Sequence, residues 1–359
     1  MKYEIVITLI RAGKLELESS FPYYNSKMKE DFVSFSKSQI KIIAERNKKY
    51  TENVIFHNVQ NSLYNQIYKC LLIHYCSSGG ESGIENIDVN EIIKKGSHTI
   101  CHRTFDVNNQ PLSSFDPPVI FSETSLRILL GEDDSSYILR IIIAHWLSQG
   151  RTSDGLLKLE CVWRTFERIC DYIRHKPINE RSYIAEGLDL LTNELITHKD
   201  RYPMVCAEVS SETYETLRQF RWRDMVENNY KKLSPASNLE DLYKKFKKRL
   251  FDPYEDKRVC FLGRDIIIYR KNELNTYGLY DDITADLTTK LSLDKKNDID
   301  VVAILCHYTY YLRNRLFHGQ SLVRGSIFET SKFDDMKIEK LTHVLRTLVV
   351  ELINHYPLL

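Results

Sequence analysis

The chain has 359 residues, long enough for two domains that each bury a core. Its 50 basic residues nearly match its 49 acidic ones, so there is no global basic field of a nucleic-acid binder and any such surface is a local patch. A charged fraction of 28%, a mean hydropathy of −0.36 and the lack of any apolar run of bilayer length describe a water-soluble chain.

The opening stretch, "MKYEIVITLIRAGKLELE", has only eight residues between Lys2 and Arg11, with Glu4 among them and no small-residue cleavage site after them. That is not the pattern of a signal peptide, and a cytoplasmic location is expected. Residues 3–10 are rich in Ile and Val and "KLELE" alternates, so a hairpin turning at "RAG" is predicted. Three- and four-residue apolar spacing predicts helices over 26–49 and 58–76, the second ending at "SSGG". Residues 80–120 are mixed and receive no assignment. Two helices follow over 123–130 and 135–148.

The segment "SQGRTSDG", 148–155, carries the composition of a linker. It divides an N-terminal domain, 1–150, of α+β and mostly helical character from a helical domain, 151–359. In the helical domain, Leu159, Val162, Trp163, Phe166, Ile169, Cys170 and Ile173 form one stripe of a helix over 155–175, with Asp154 as its N-cap. Helices over 180–197 and 204–229 come next. The polar, lysine-rich stretch 231–297, with a short helix near 238–250, reads as an insertion. Helices over 298–318 and 334–356 close a mainly α fold.

The eight cysteines are scattered through apolar stripes without a C-x-x-C pair, which suits buried free thiols in a reducing compartment. "HTICHR" offers His98, Cys101 and His102 but no second cluster at zinc spacing. In "GEDDSS", 131–136, the acids read as caps of the following helix rather than cation ligands. "YKKFKKRL", 243–250, reads as a solvated helix face with some character of an RNA contact. No phosphate-binding glycine loop, dinucleotide fingerprint or nucleophile elbow occurs.

The stretch "HYTYYLRNRLFHG", 307–319, is the most informative. At about 100° per residue, Val301, Leu305, Tyr308, Leu312 and Leu316 form one apolar stripe, while His307, Tyr310, Asn314, Phe317 and His318 gather on the other side with Arg313 at the flank. Gly319 stands where a helix C-cap belongs. A face that is half aromatic and half polar suits a contact surface. Its groups can also perform chemistry. An imidazole can take a ribose 2′-hydroxyl proton or protonate a leaving 5′-oxygen. A guanidinium can hold the phosphate oxygens as charge builds on them. An asparagine can orient both, and since the nucleophile belongs to the substrate this route needs no metal.

"RNRLFHG" resembles the motif of HEPN domains, an arginine followed four to six residues later by a histidine, commonly with a polar residue after the arginine. Here these are Arg313, Asn314 and His318 on a late helix, and Trp163, Phe166 and Glu167 resemble the family's first long helix. The likeness covers about 151–357. It implies an all-helical bundle that dimerises with the two motifs in one cleft, and a metal-independent endoribonuclease leaving a 2′,3′-cyclic phosphate, in a toxin-like or anti-phage role and with an antitoxin or regulatory protein as a further partner. In that reading Arg313, Asn314 and His318 are catalytic. Glu167, Arg315 and Tyr310 support them or contact RNA; His307, Tyr310 and Phe317 form the dimer interface; no metal or cofactor is called for. Gln320 stands where one subset of the family carries a modifiable tyrosine, so pairing with a nucleotidyltransferase is not implied. The same spacing in "RIIIAH", Arg140 to His145, has apolar flanks and reads as a packing helix with a snorkelling arginine. The alternative is a non-catalytic RNA-binding or scaffolding module.

Overall fold

The computed structural model describes residues 1–10, 15–22, 30–78, 83–93, 96–105, 121–174, 184–229, 239–317 and 332–355. The chain is mostly helical and divides into two compact units, Met1–Phe166 with Leu352–Leu359, and Glu167–Glu351. The division falls inside a helix rather than at the 148–155 stretch.

The first unit holds a six-stranded antiparallel sheet, β1 (Lys2–Leu9), β2 (Leu17–Pro22), β3 (Glu30–Phe35), β4 (Gln39–Glu45), β5 (Ile84–Ile93) and β6 (Gly96–Thr104), in the order β2-β3-β4-β1-β5-β6. In β1 the residues Tyr3, Ile5, Ile7 and Leu9 are buried while Glu4, Val6 and Thr8 between them are half-buried, the period-two pattern of a sheet with one covered face. The hairpin expected of β1 and β2 does not form. Ile5 of β1 stands opposite Ile42 of β4 and Val89 of β5, while β2 pairs with β3 at the sheet edge.

The helix expected over 26–49 is also replaced, by β3 and β4. Asp31, Val33 and Phe35, then Ile40, Ile42 and Ala44, are buried alternately. The five-residue step between Phe35 and Ile40 lets a three-and-four count fit the same letters, but the β-branched content favours strands. Arg46, just past β4, donates from both terminal nitrogens to the two carboxylate oxygens of Asp31, at 2.7 and 2.6 Å, and so fixes one end of the β3–β4 pair. The N-terminal α+β expectation therefore holds with more sheet than foreseen. α1 (Glu52–His57) and α2 (Ser62–Ser78) follow, and α2 packs on β4 with Leu63, Ile67, Cys70 and Ile73 buried. α3 (Glu123–Ile128) and α4 (Asp134–Ser148) start at side-chain caps: Ser122 Oγ accepts from the Ser125 amide, and Asp133 Oδ1 from the Ser136 amide at 2.8 Å.

α5 (Gly155–Ile173) carries the expected stripe, buried throughout, and Asp154 accepts from the amides of Leu156 and Leu157 at 2.8 and 3.0 Å. The second unit continues with α6 (Ile184–Thr197), α7 (Pro203–Val209), α8 (Tyr214–Leu217) and α9 (Trp222–Asn229). The single helix expected over 204–229 is thus three. Thr213 and Thr216 close a capping box at the start of α8, and Trp222 Nε1 donates to the Leu217 carbonyl at 2.6 Å, holding the bend before α9. α10 (Leu239–Leu250), α11 (Lys257–Ile267), α12 (Lys271–Thr276) and α13 (Leu279–Ser292) fill the supposed insertion. Phe246, Phe251, Val259, Ile266 and Leu287 are core there, so most of 231–297 is bundle and not an appendage. α14 (Asp298–Phe317) and α15 (Lys332–His355) complete the chain, and α14 packs against α6, α7, α9 and α11.

α5 and α6 approach closely at Gly187, where an added Cβ would lie 2.7 Å from the Cys170 carbonyl oxygen and 2.8 Å from the Cys170 Cβ. Overpacking of this kind costs ~1–3 kcal/mol. Gly187→Ala is expected to lower the urea midpoint accordingly; a loss below about 0.5 kcal/mol would show that the two helices part at no cost.

Candidate functional site

The site expected from the sequence lies on α14, and the helix is fixed first at its N-terminal end. Asp300 Oδ2 accepts from the backbone N–H groups of Glu255 and Asp256 at 2.6 and 2.8 Å, and Oδ1 from the side-chain Nδ2 of Asn297 at 2.8 Å. Burial pushes the Asp300 carboxyl up to about 6 against these hydrogen bonds. Arg258 Nη2 donates to Asp256 Oδ2 and Asp298 Oδ1, both at 2.7 Å, tying the helix start to α11. From Val301 to Thr309 every residue is buried, whichever face it is on. Tyr308 wedges edge-on against Phe220 and Trp222, with centroids 5.0 and 4.9 Å away, and its hydroxyl accepts from the Arg221 amide.

His307 is therefore not on a contact surface. It is buried in its own unit with Nε2 3.2 Å from Thr192 Oγ1 of α6. The threonine hydroxyl gives its one hydrogen to the Leu188 carbonyl at 2.8 Å, so Nε2 carries the ring proton and donates to it. Burial holds the imidazole down at about 4. The dimer-interface role expected of His307 is corrected accordingly: this is a neutral core histidine.

Solvent reaches the helix from Tyr310 onward. Tyr310, Leu312, Arg313, Asn314 and Arg315 are half-buried, and Tyr311 turns inward. Arg313 and Asn314 come together, Nη1 lying 3.4 Å from Oδ1. Arg315 reaches back along its own helix, donating to the Tyr311 hydroxyl at 3.0 Å with its guanidinium 5.8 Å from that ring's centroid. His318 and the side chain of Phe317 lie outside the described residues. Glu167 is half-buried on α5 in the same unit.

A second histidine–arginine pair has no counterpart in the sequence reading. On α15, His343 Nδ1 lies 3.4 Å from Arg346 Nη2, and Thr347 of the next turn contacts Glu208 of α7 at 3.3 Å. Burial and the Arg346 charge hold the His343 imidazole below its ordinary range. The i,i+3 spacing in "HVLR" was the available signal, but buried apolar neighbours on both sides hid it.

The remaining candidates resolve structurally. Tyr243 and Phe246 of "YKKFKKRL" point into the core; Lys247 pairs with Asp282 at 2.9 Å, and Arg249 grips both oxygens of Asp189 at 2.6 Å. Lys244, Lys245 and Lys248 stay exposed, Lys244 paired with Glu240 at 2.6 Å. Cys101 is buried while His102 of the same strand is exposed and 2.5 Å from Asp88, and among the described residues no cluster of metal-ligating side chains forms. All eight cysteines are free thiols. Among the described residues no helix is long and apolar enough to cross a membrane. No family model matches the chain, and no curated protein or solved structure matches it either.

The low value of His307 has a consequence for pH. Between about 6.5, where an unfolded histidine titrates, and about 4, the unfolded chain takes up a proton here that the folded chain refuses. Stability contributed by this residue is complete above pH 6.5 and falls as the pH drops, by up to ~3 kcal/mol. Asp300, raised to about 6, opposes this over most of the window, from about pH 6 downward. Hence the difference between wild type and His307→Gln is the quantity to measure, by urea unfolding at pH 7.5 and pH 4.5. The variant should lose less stability than wild type over that interval, and equal losses would place His307 in contact with water.

Proposed function

We propose that the helical unit is a HEPN-like, metal-independent endoribonuclease. The observation that carries this reading is the end of α14, where a helix locked at its start and buried through its middle first meets solvent with Arg313 and Asn314 side by side. His318, one turn beyond Asn314 in the sequence, completes the group. Arg313 holds the non-bridging oxygens of the scissile phosphate, Asn314 orients the guanidinium and the ribose, and His318 moves protons. The 2′-oxygen attacks phosphorus, its proton passes to an imidazole, the bond from phosphorus to the 5′-oxygen breaks, and an imidazolium protonates that oxygen. The products are a 2′,3′-cyclic phosphate and a 5′-hydroxyl. Two imidazoles in opposite protonation states serve this best, which is the reason for proposing a homodimer with both motifs on one groove. A toxin-like or anti-phage role fits such an activity and rests on the family resemblance.

The test is RNA cleavage by purified protein in EDTA, with Arg313→Ala and His318→Ala alongside and the oligomeric state followed by light scattering. Each substitution should lower the cleavage rate by at least ~100-fold while leaving the mass unchanged. Wild type that leaves RNA intact, or variants that cut as fast as wild type, would refute the nuclease and leave the scaffolding module as the better reading.

A further inference from the structure

Within the first unit, the facing sides of α2 and α4 enclose a cleft of about 270 Å³. α2 contributes Asn65, Tyr68 and Lys69 at i, i+3 and i+4, and α4 contributes Tyr137, Arg140 and His145 at i, i+3 and i+8, so each helix turns one face to it. The side chains are graded by depth. Lys69 is 1% exposed and Arg140 12%, whereas Tyr68 and Tyr137 are 38% and 53% exposed at the rim.

Two cations, Lys69 and Arg140, and two carboxylates, Glu132 and Asp133, meet at the inner end, but Asp133 acts on Arg140 only through its charge, since its oxygens serve Ser136 as the cap of α4. Lys69 contacts Glu132, and the same carboxylate oxygen is 3.9 Å from Arg140, so one carboxylate faces two cations. Arg140 spends one terminal nitrogen on the carbonyls of Leu129 and Gly131, at 3.0 and 2.5 Å, at the end of α3. The nearby Asp31 is bound at both oxygens by Arg46 and supplies no further partner. An ammonium has three N–H groups, and among the described residues Glu132 is the acceptor for Lys69. A buried cation with donors to spare is costly unless something accepts them. Burial, with Arg140 adding to it, pushes the Lys69 ammonium down to about 7, and Cys70 and Asp31 act against both.

We propose that this cleft binds a small phosphorylated ligand with a planar ring, of the size of a nucleoside monophosphate, with its phosphate on Lys69 and Arg140 and its ring between Tyr68 and Tyr137. An entering phosphate accepts the remaining Lys69 and Arg140 donors. The tyrosine rings cover the planar part at little entropic cost, and Asn65, whose amide hydrogens go to the Val59 and Asn61 carbonyls, offers its side-chain oxygen as an acceptor. The volume bounds the size: at about 270 Å³ the cleft lies just below the roughly 300 to 1,000 Å³ of pockets for drug-sized ligands, which leaves no room for a dinucleotide. The inference does not depend on the nuclease reading of the other unit.

The experiment is calorimetric titration of the full-length protein with the four ribonucleoside 5′-monophosphates and with adenosine. At least one monophosphate should bind with a Kd below about 1 mM, with adenosine about tenfold weaker or undetectable. Lys69→Met, which removes the charge and keeps the stem, should weaken that binding by about tenfold or more. Tyr137→Ala lies on the exposed rim, leaves the fold intact and should also weaken it, so it decides the matter if Lys69→Met does not fold. The site is overturned if no monophosphate binds, if adenosine binds as well as its monophosphate, or if the folded variants bind as wild type does.

Discussion

The arrangement of the helical unit follows from one constraint: α14 has no free face through its first three turns. A helix surrounded on all sides must be apolar or neutral all round, and this one is, with Ile304, Cys306, Thr309 and the neutral His307 among its buried residues. Thr309 meets the requirement by returning its hydroxyl to the Leu305 carbonyl at 2.8 Å. Such a helix can carry charge only at its ends. The N-terminal end uses acids, as the helix dipole favours, and ties them to Arg258 and to the amides of Glu255 and Asp256. The C-terminal end carries Arg313 and Arg315, the sign that suits the partial negative charge of the last carbonyls.

Several interior charges are satisfied by neighbours within the fold. Glu351 on α15 accepts from the Met204 and Val205 amides at 2.6 and 2.9 Å. It thereby caps α7, which begins at Pro203 and receives no cap from Tyr202. Arg258 is shared between Asp256 and Asp298 and also donates to the Glu212 carbonyl. Arg46 and Asp31 satisfy each other through two bonds. In each case the donors and acceptors match closely enough to offset desolvation. At Lys69 one carboxylate serves an ammonium with three donors and a cleft opens beside it, which is why a missing ligand is inferred there.

How much of this was legible depended on whether a segment's partners are its chain neighbours. The stripe of α5, the caps Asp133 and Asp154, and the extents of α2, α4, α14 and α15 are set by local spacing and local hydrogen bonds, and the letters carry them. β3 and β4 are set by pairing with β1 and β2, information that no window of the sequence contains, and their five-residue step imitates a helical period. The stretch 231–297 reads as an insertion because it is polar and lysine-rich, yet Lys247 and Lys290 bind Asp282 and Asp286 and their helices present aromatic and aliphatic faces inward. Arg140 was visible as part of a motif-like spacing and set aside for its apolar flanks; the flanks are indeed packing, and the arginine still faces the cleft.

The candidate site shows the same limit within a single helix. His307 and Asn314 are seven residues apart, about 700° around the axis, and so share a face to within about 20°. Periodicity assigns them one environment. The structure gives them two, because α6 covers the face at His307, through Thr192, while Asn314 is reached by solvent. The angle around a helix is encoded in the spacing of its own residues. The cover at a given height comes from residues far away in sequence, and at His307 it belongs to α6, more than a hundred residues earlier. Cover, not angle, separates an imidazole held neutral in the core from one able to titrate near neutral pH, and among the described residues of α14 the cover ends between Thr309 and Tyr310.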